Sequence, residues 1–321
     1  MHLSIVRILV VGDNHISSSN RSNHIDYPGE GVEALEFIVN TVAERGITHY
    51  IGLGDITYGK FDLTYRAKID SLYAKRNELT NGNVVELRGN HDMSLKGISE
   101  WEYYNTHRKL INTAVGLVSV SDGYKYLDLN GVRLHFVDYG AEKCELQILE
   151  GATNFAFAHN YFKFKESNMA NYGKAIDLDY YEQWFGVDAI FCGHIHQNKM
   201  LKGSMFKGGS SKEVLVYYPG NLIRTDFLKD MPQAGEALII TVEDGNATFE
   251  KIAIPWRSEE DAFQVGDIIK ERKKVDISDI VKSLNDKERH IGNPESIIQN
   301  MSDYDIKYRE KAIELLREGL N

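Results

Sequence analysis

The chain has 321 residues and a formal net charge of −10, with 42% hydrophobic and 26% charged residues. This suits a globular protein of one large domain, or one large and one small. The acidity argues against broad electrostatic capture of nucleic acid, but metal-binding acids or a basic partner subunit would weaken that argument. Two cysteines, Cys144 and Cys192, suggest no disulfide framework and favour a reducing compartment. The start of the chain lacks a signal-peptide pattern, and no apolar run approaches the ~20 residues that span a bilayer. The expected location is the cytoplasm (the host cytoplasm for a viral protein), with no membrane partner.

Ile5–Val11 is a short run of branched residues ended by Gly12 and reads as a buried strand. The polar stretch Ser17–Glu30 reads as an exposed loop. Gly31–Arg45 carries Leu35, Ile38, Val39 and Val42 at helical spacing and stops at Gly46. Tyr50–Leu53 is a strand, Asp62–Leu79 a helix closed by Asn81-Gly82, and Val84–Leu87 a strand. This β-α-β-α-β rhythm predicts a layered α/β core. Further on, Tyr124–Leu129 and Val132–Val137 flank Asn130-Gly131, a strong hairpin signal. Strands are also read at Phe155–Ala158, Ala189–Cys192 and Val214–Tyr217. Ala237–Val242 and Ala247–Ile254 flank a second hairpin signal at Asp244-Gly245-Asn246. The predicted fold is α/β: two packed mixed β-sheets flanked by helices over residues 1–256, then a linker and helical tail over 257–321. In the tail, Asp303–Leu320 places Ile306, Ala312, Ile313, Leu316 and Leu320 on one stripe, with Ser302 or Asp303 as N-cap.

Five stations stand where strands end: Gly12-Asp13-Asn14-His15, Gly54-Asp55, Gly89-Asn90-His91-Asp92, His159-Asn160 and Gly193-His194-Ile195-His196. Each alone has an ordinary explanation as a turn or a satisfied histidine. All five in order supply carboxylate, amide and imidazole ligands for two adjacent divalent cations. Such a pair clamps the attacking and leaving oxygens of a phosphoryl displacement. A glycine beside several ligands lets the chain turn off the strand. The remaining histidines, His2, His24, His49, His107, His135 and His290, read as structural. Arg88 reads equally as a phosphate contact or a strand-end salt bridge.

The series GDNH, GD, LRGNHD, AHN and GHIH, from residue 6 to about 225, resembles the calcineurin-like metallophosphoesterase superfamily. The resemblance implies that Asp13, His15 and His196 hold one metal, and Asn90, His159 and His194 the other. Asp55 would bridge them. His91 would be the catalytic acid, oriented by Asp92, and the nucleophile a hydroxide activated by the metals. The implied ions are two divalent metals, foremost Mn²⁺, with Fe²⁺, Zn²⁺ or Mg²⁺ as alternatives.

Tyr217-Tyr218-Pro219-Gly220-Asn221-Leu222-Ile223-Arg224-Thr225-Asp226-Phe227 resembles the stretch after the last metal motif in SbcD-type DNA-repair nuclease subunits. A plain strand and Pro-Gly turn is the alternative. The resemblance implies DNA as substrate, a homodimer, and an SMC-like coiled-coil ATPase partner docked on the helical tail. The tail's stripe packing on this chain's own core is the competing expectation. The chain departs from that family at Tyr58, where many relatives carry a histidine linked to exonuclease activity, and at Asn221 in place of serine. The family's DNA-binding cap is short or absent. Two other readings remain open: a phosphodiesterase or phosphatase for a small molecule or phosphoprotein, and a non-catalytic scaffold.

Overall fold

A computed structural model describes residues 5–264 apart from 22, 60, 94–98, 166–174 and 226–234. Strand β1 (Val6–Val11) points Ile8 and Val10 into one apolar cluster and Leu9 and Val11 into another. Its two-residue period therefore serves two buried layers, which is why the run after the exposed Arg7 is continuously apolar.

Helix α1 (Tyr27–Glu44) starts earlier than its pattern predicted. The Asp26 side chain accepts from Gly29 N–H, and Pro28 sits in the first turn, where its missing N–H costs nothing. The reading of Ser17–Glu30 as an exposed loop is corrected: Ser17, His24, Tyr27 and Glu30 are buried. The loop folds on itself. Asn20 accepts from Tyr27 N–H at 2.8 Å and donates to the His24 carbonyl at 2.9 Å. The Tyr27 hydroxyl donates to the His15 carbonyl at 2.8 Å. Local polar bonding thus buries a polar segment.

There follow β2 (His49–Gly52), α2 (Leu63–Leu79) capped by Asp62, β3 (Val84–Glu86), and α3 (Glu100–Glu102), which runs into a π-helical turn. The later strands are β4 (Val118–Ser121), β5 (Tyr124–Leu129), β6 (Val132–Val137), β7 (Thr153–His159), β8 (Phe162–Lys163), β9 (Ile176–Asp177), β10 (Ala189–Gly193), β11 (Lys199–Lys207), β12 (Ser210–Tyr218), β13 (Glu236–Glu243) and β14 (Asn246–Ala253), before α4 (Glu259–Ala262).

One sheet has the order β14-β13-β1-β2-β3, the other β11-β12-β10-β7-β6-β5-β4, and β8 and β9 pair separately. Both are mixed. In the first, β1, β2 and β3 run parallel, and the late hairpin β13–β14 adds antiparallel beside β1. In the second, β6, β7, β10 and β12 run parallel. Ile8, Val10, Leu53 and Val85 meet Phe136, Phe155, Phe157 and Phe191 between the sheets. Helices α1 and α2 cover the outer face of the first sheet, and a cluster around Phe162, Trp184 and Tyr218 that of the second. This is the predicted architecture of two packed mixed sheets flanked by helices.

Both hairpin signals act as read. Asn130 and Gly131 have φ of 46° and 82°, Asp244 and Gly245 50° and 78°, as a primed two-residue turn requires. Met1–Phe263 forms one compact unit. The helical tail, with its stripe, lies outside the described residues. No described helix is long and apolar enough to cross a membrane.

Candidate metal centre

The parallel strands bring the stations together. Val11 of β1 pairs with Gly52 of β2, and His159 of β7 pairs with Gly193 of β10, so four chain segments leave two sheets at one end. The ligand residues themselves turn the chain. His15, Asp55 and His194 have φ of 49°, 48° and 82°, a left-handed backbone rare for residues with side chains. Gly54 shares that backbone, with φ of 100°, whereas Gly89 and Gly193 serve close approach. A Cβ on Gly89 would sit 2.2 Å from Asp55 Oδ1, and one on Gly193 would sit 2.4 Å from Asp13 Oδ1.

All seven expected ligands converge. The ligand atoms of Asp13, His15 and His196 lie within 4.8 Å of one another, as do those of Asp13, Asp55 and His159. Asn90 Oδ1 is 3.0 Å from His159 Nε2 and 2.9 Å from His194 Nδ1. Asp55 Oδ2 lies 3.7 Å from His15 Nε2 and 3.3 Å from His159 Nε2, which places it between the two groups. The His194 backbone N–H donates to both Asp13 oxygens, at 3.0 and 2.9 Å.

The donor set fits two divalent cations. His159 Nδ1–H donates to the Leu53 carbonyl at 2.7 Å, which leaves Nε2 facing Asp55 and Asn90. His196 Nδ1 is 3.1 Å from the Thr225 hydroxyl, and its Nε2 is 3.1 Å from His15 Nε2. Nitrogens that each lie about 2.0–2.1 Å from one ion stand at such a separation. Outer nitrogens bonded to the protein and inner ones facing carboxylates are the usual surroundings of a metal site.

Electrostatics agree. Burial works against charge on Asp55, but His159, His15 and His91 outweigh it and hold the carboxyl well below the usual range. Burial likewise opposes charge on His159, yet Asp55 and Asp13 pull its pKa up. Burial pushes His194 down to about 4 and holds His15 well below the usual imidazole range. Without a cation the cluster retains a proton beside its carboxylates; cation binding would expel it.

His91 is exposed, and its ring lies 5.2 Å from that of His15. Its backbone N–H donates to Asp55 Oδ1 at 2.8 Å. Asp92 is buried and braces the loop: Oδ2 accepts from Gly89 N–H at 2.9 Å, while Oδ1 has no hydrogen-bond partner. Arg88 packs its guanidinium 5.7 Å from the centre of the Trp101 ring, and its Nε has no hydrogen-bond partner.

Three nearby residues escaped the sequence reading. Thr225 contacts His196. Tyr139 lies over His194 at 6.3 Å and meets His159 edge-on. Arg21 sits over Tyr58, whose ring centre is 5.3 Å from that of His91. Neighbouring backbone also supports the centre, since Leu222 N–H donates to the Asp13 carbonyl at 2.8 Å. Residues 226 and 227 of the stretch that suggested a nuclease lie outside the described residues.

Two packed mixed sheets with paired carboxylate and imidazole clusters at their strand ends define the class of metal-dependent phosphoesterases. The chain belongs to the calcineurin-like phosphoesterase family, whose model matches residues 6–198. Among solved structures it is similar to the TT1561 protein of Thermus thermophilus, at 12% identity and a TM-score of 0.44, covering 78% of this chain and 100% of that one. A dimetal phosphatase from Danio rerio aligns at 11% identity and a TM-score of 0.45, over 78% of this chain and 99% of that one. A Vps29 single mutant from Entamoeba histolytica aligns at 13% identity and a TM-score of 0.33, over 78% of this chain and 100% of that one. No curated protein sequence matches the chain. Family membership rests on the family match.

Proposed function

We propose that this chain is a two-metal phosphodiester hydrolase acting on DNA, the exo- or endonuclease subunit of a repair or recombination complex. The observation that carries the hydrolase reading is the convergence of Asp13, His15, Asp55, Asn90, His159, His194 and His196 with His91 beside them. Asp13, His15 and His196 would hold one cation, Asn90, His159 and His194 the other, with Asp55 shared. Two divalent ions, Mn²⁺ first among them, would supply Lewis acidity and a nucleophile at neutral pH.

The protein's own part is positioning and proton transfer. Thr225 and the Leu53 carbonyl fix the rings of His196 and His159. Asp55 ties down the loop that carries His91 through its backbone N–H. His91 is then available to give a proton to the leaving oxygen. Asp92 acts by bracing that loop. Arg88, half-buried against Trp101, is the weaker candidate for substrate contact.

The DNA assignment, the homodimer and the coiled-coil ATPase partner rest on the resemblance of Tyr217–Phe227 to nuclease subunits. One assay tests the reading: purified protein with Mn²⁺, offered single-stranded DNA, a double-stranded end, a cyclic nucleotide and an aryl phosphodiester. Cleavage of DNA is expected. Turnover of the small substrates alone would favour a small-molecule phosphodiesterase, and failure to bind metal would favour a scaffold.

A further inference from the structure

We propose that Arg21 and Tyr58 form a nucleotide-holding element on the rim of the metal centre. The exposed part of the Tyr58 ring packs on the nucleoside, and the Arg21 guanidinium takes a phosphate oxygen beside the scissile phosphodiester. The inference rests on the phosphodiesterase reading of the same centre and names its substrate class as nucleotide esters.

Tyr58 is 41% exposed although it lies beside two residues of the centre, with ring centres 5.3 Å from His91 and 6.3 Å from His15. An exposed aromatic ring next to a site of chemistry is a surface for a flat partner. The Arg21 guanidinium carbon stands 4.1 Å from the centre of that ring. The guanidinium is held over the Tyr58 ring and 5.3 Å from the centre of the Tyr27 ring, with Nη1 donating to the Tyr27 hydroxyl, and its remaining N–H groups would take the phosphate oxygen.

The chain's net charge of −10 makes an arginine without a carboxylate partner informative. Arg45, Arg66, Arg76, Arg108, Arg133 and Arg257 each pair with an Asp or Glu, whereas among the described residues Arg7, Arg21, Arg88 and Arg224 have no such ion pair, and of these four Arg21 packs on the exposed ring beside His91. Arg21 makes one long bond, 3.5 Å, to the Tyr27 hydroxyl, and among the described residues no carboxylate lies within ion-pair distance of it. Tyr27 is anchored in turn by donating to the His15 carbonyl, which links the element to the metal-binding loop. A cation held over an aromatic ring, at the edge of a cluster that demands an anionic substrate, has the chemistry of a phosphate-and-base contact.

Two measurements on the full chain test this. Anisotropy of a fluorescein-labelled dT10 oligonucleotide in EDTA reads binding without turnover. Arg21→Ala and Tyr58→Ala should each weaken it about tenfold, within the range of one stacked base, while Tyr58→Phe retains it. Kinetics with Mn²⁺ compare thymidine 5′-(p-nitrophenyl) phosphate with bis(p-nitrophenyl) phosphate. Both alanine variants should lose preference for the nucleotide ester by about fivefold or more, mainly through KM. Unchanged dT10 binding, no binding by the wild type, or equal losses on both esters would overturn the inference. If the wild type binds dT10 but leaves DNA intact, and shows an ester preference that the variants lose, the DNA assignment falls and the nucleotide element stands.

Discussion

The centre separates the proposed metal-binding Asp55 from the proposed acid His91 by where each side chain lies. Asp55 is buried between the two ligand groups, whereas His91 is exposed and is held through its backbone. Asp55→Ala should therefore lower both metal content and rate; unchanged metal stoichiometry by elemental analysis would reject its bridging role. His91→Ala should abolish most turnover, by about 10²-fold or more, with both metals still bound. Loss of metal from that variant would make His91 a ligand. The ligand types and their order along the chain were legible because each station follows a strand with a recognisable apolar run. Arg21 and Tyr139 were not, because nothing local in the sequence distinguishes them, and Thr225 stood in the marked Tyr217–Phe227 stretch without a role of its own. They reach the centre only through the folding of the 17–30 loop and the juxtaposition of strand ends. Nor could the sequence reveal that His15, Asp55 and His194 themselves take the left-handed backbone that favours glycine.

At the scale of elements, side-chain burial decided what could be read. The strands β1, β5, β6 and β13 bury alternate or continuous apolar residues, and the β5–β6 and β13–β14 turns carry Asn-Gly and Asp-Gly. The edge strand β4 alternates as Val-Ser-Val-Ser but is only four residues long and exposed throughout, and β11 sets Met200, Leu201, Met205 and Phe206 among lysines without strict alternation. Backbone pairing makes β4 a strand, and β11 adds burial of Leu201 and Met205. Helix α2 presents a different case. Its buried residues are Ile69, Tyr73 and Arg76, a thin apolar face. Arg76 supplies the rest of the attachment: Nη1 bonds Glu86 of β3 at 2.5 Å, and the guanidinium carbon lies 4.3 Å from the Tyr50 ring centre and 4.6 Å from that of Tyr73. Both charges are inaccessible to solvent, at 1% and 0% side-chain exposure, so removing one strands the other. Arg76→Ala should cost about 3–5 kcal/mol. The double variant Arg76→Met with Glu86→Leu should be less destabilised than either single removal, measured by urea unfolding. A cost below ~1 kcal/mol for Arg76→Ala would mean that water or rearrangement satisfies Glu86.

At the scale of the molecule, acid should loosen the second sheet through one histidine outside the candidate ligand groups. His135 of β6 is fully buried; its Nδ1 accepts from the Tyr124 hydroxyl of β5 at 3.0 Å, and its Nε2–H donates to Asn154 Oδ1 of β7 at 3.2 Å. The neutral ring satisfies both partners, whereas a second proton would face the Tyr124 O–H. Burial pushes the His135 pKa down to about 4 from 6.5. Between those values the unfolded chain binds a proton that the folded chain refuses, so this contribution is intact above pH 6.5 and is lost as pH falls towards 4. The full loss is on the order of 3 kcal/mol for a shift of that size. His49, also pushed down to about 4 by burial, adds in the same direction. Glu30 opposes both: burial raises it to about 7, so the folded state holds its proton more tightly, and stability from this group falls as pH rises from 4.5 through 7. A wild-type profile mixes these signs, and only a difference isolates His135. Urea unfolding of wild type and His135→Gln, both metal-free, from pH 7 to pH 4.5 should show the wild type losing more stability across the interval. Parallel profiles would mean that His135 keeps an ordinary pKa in the folded protein, through water reaching the ring or an alternative pairing with Asn154.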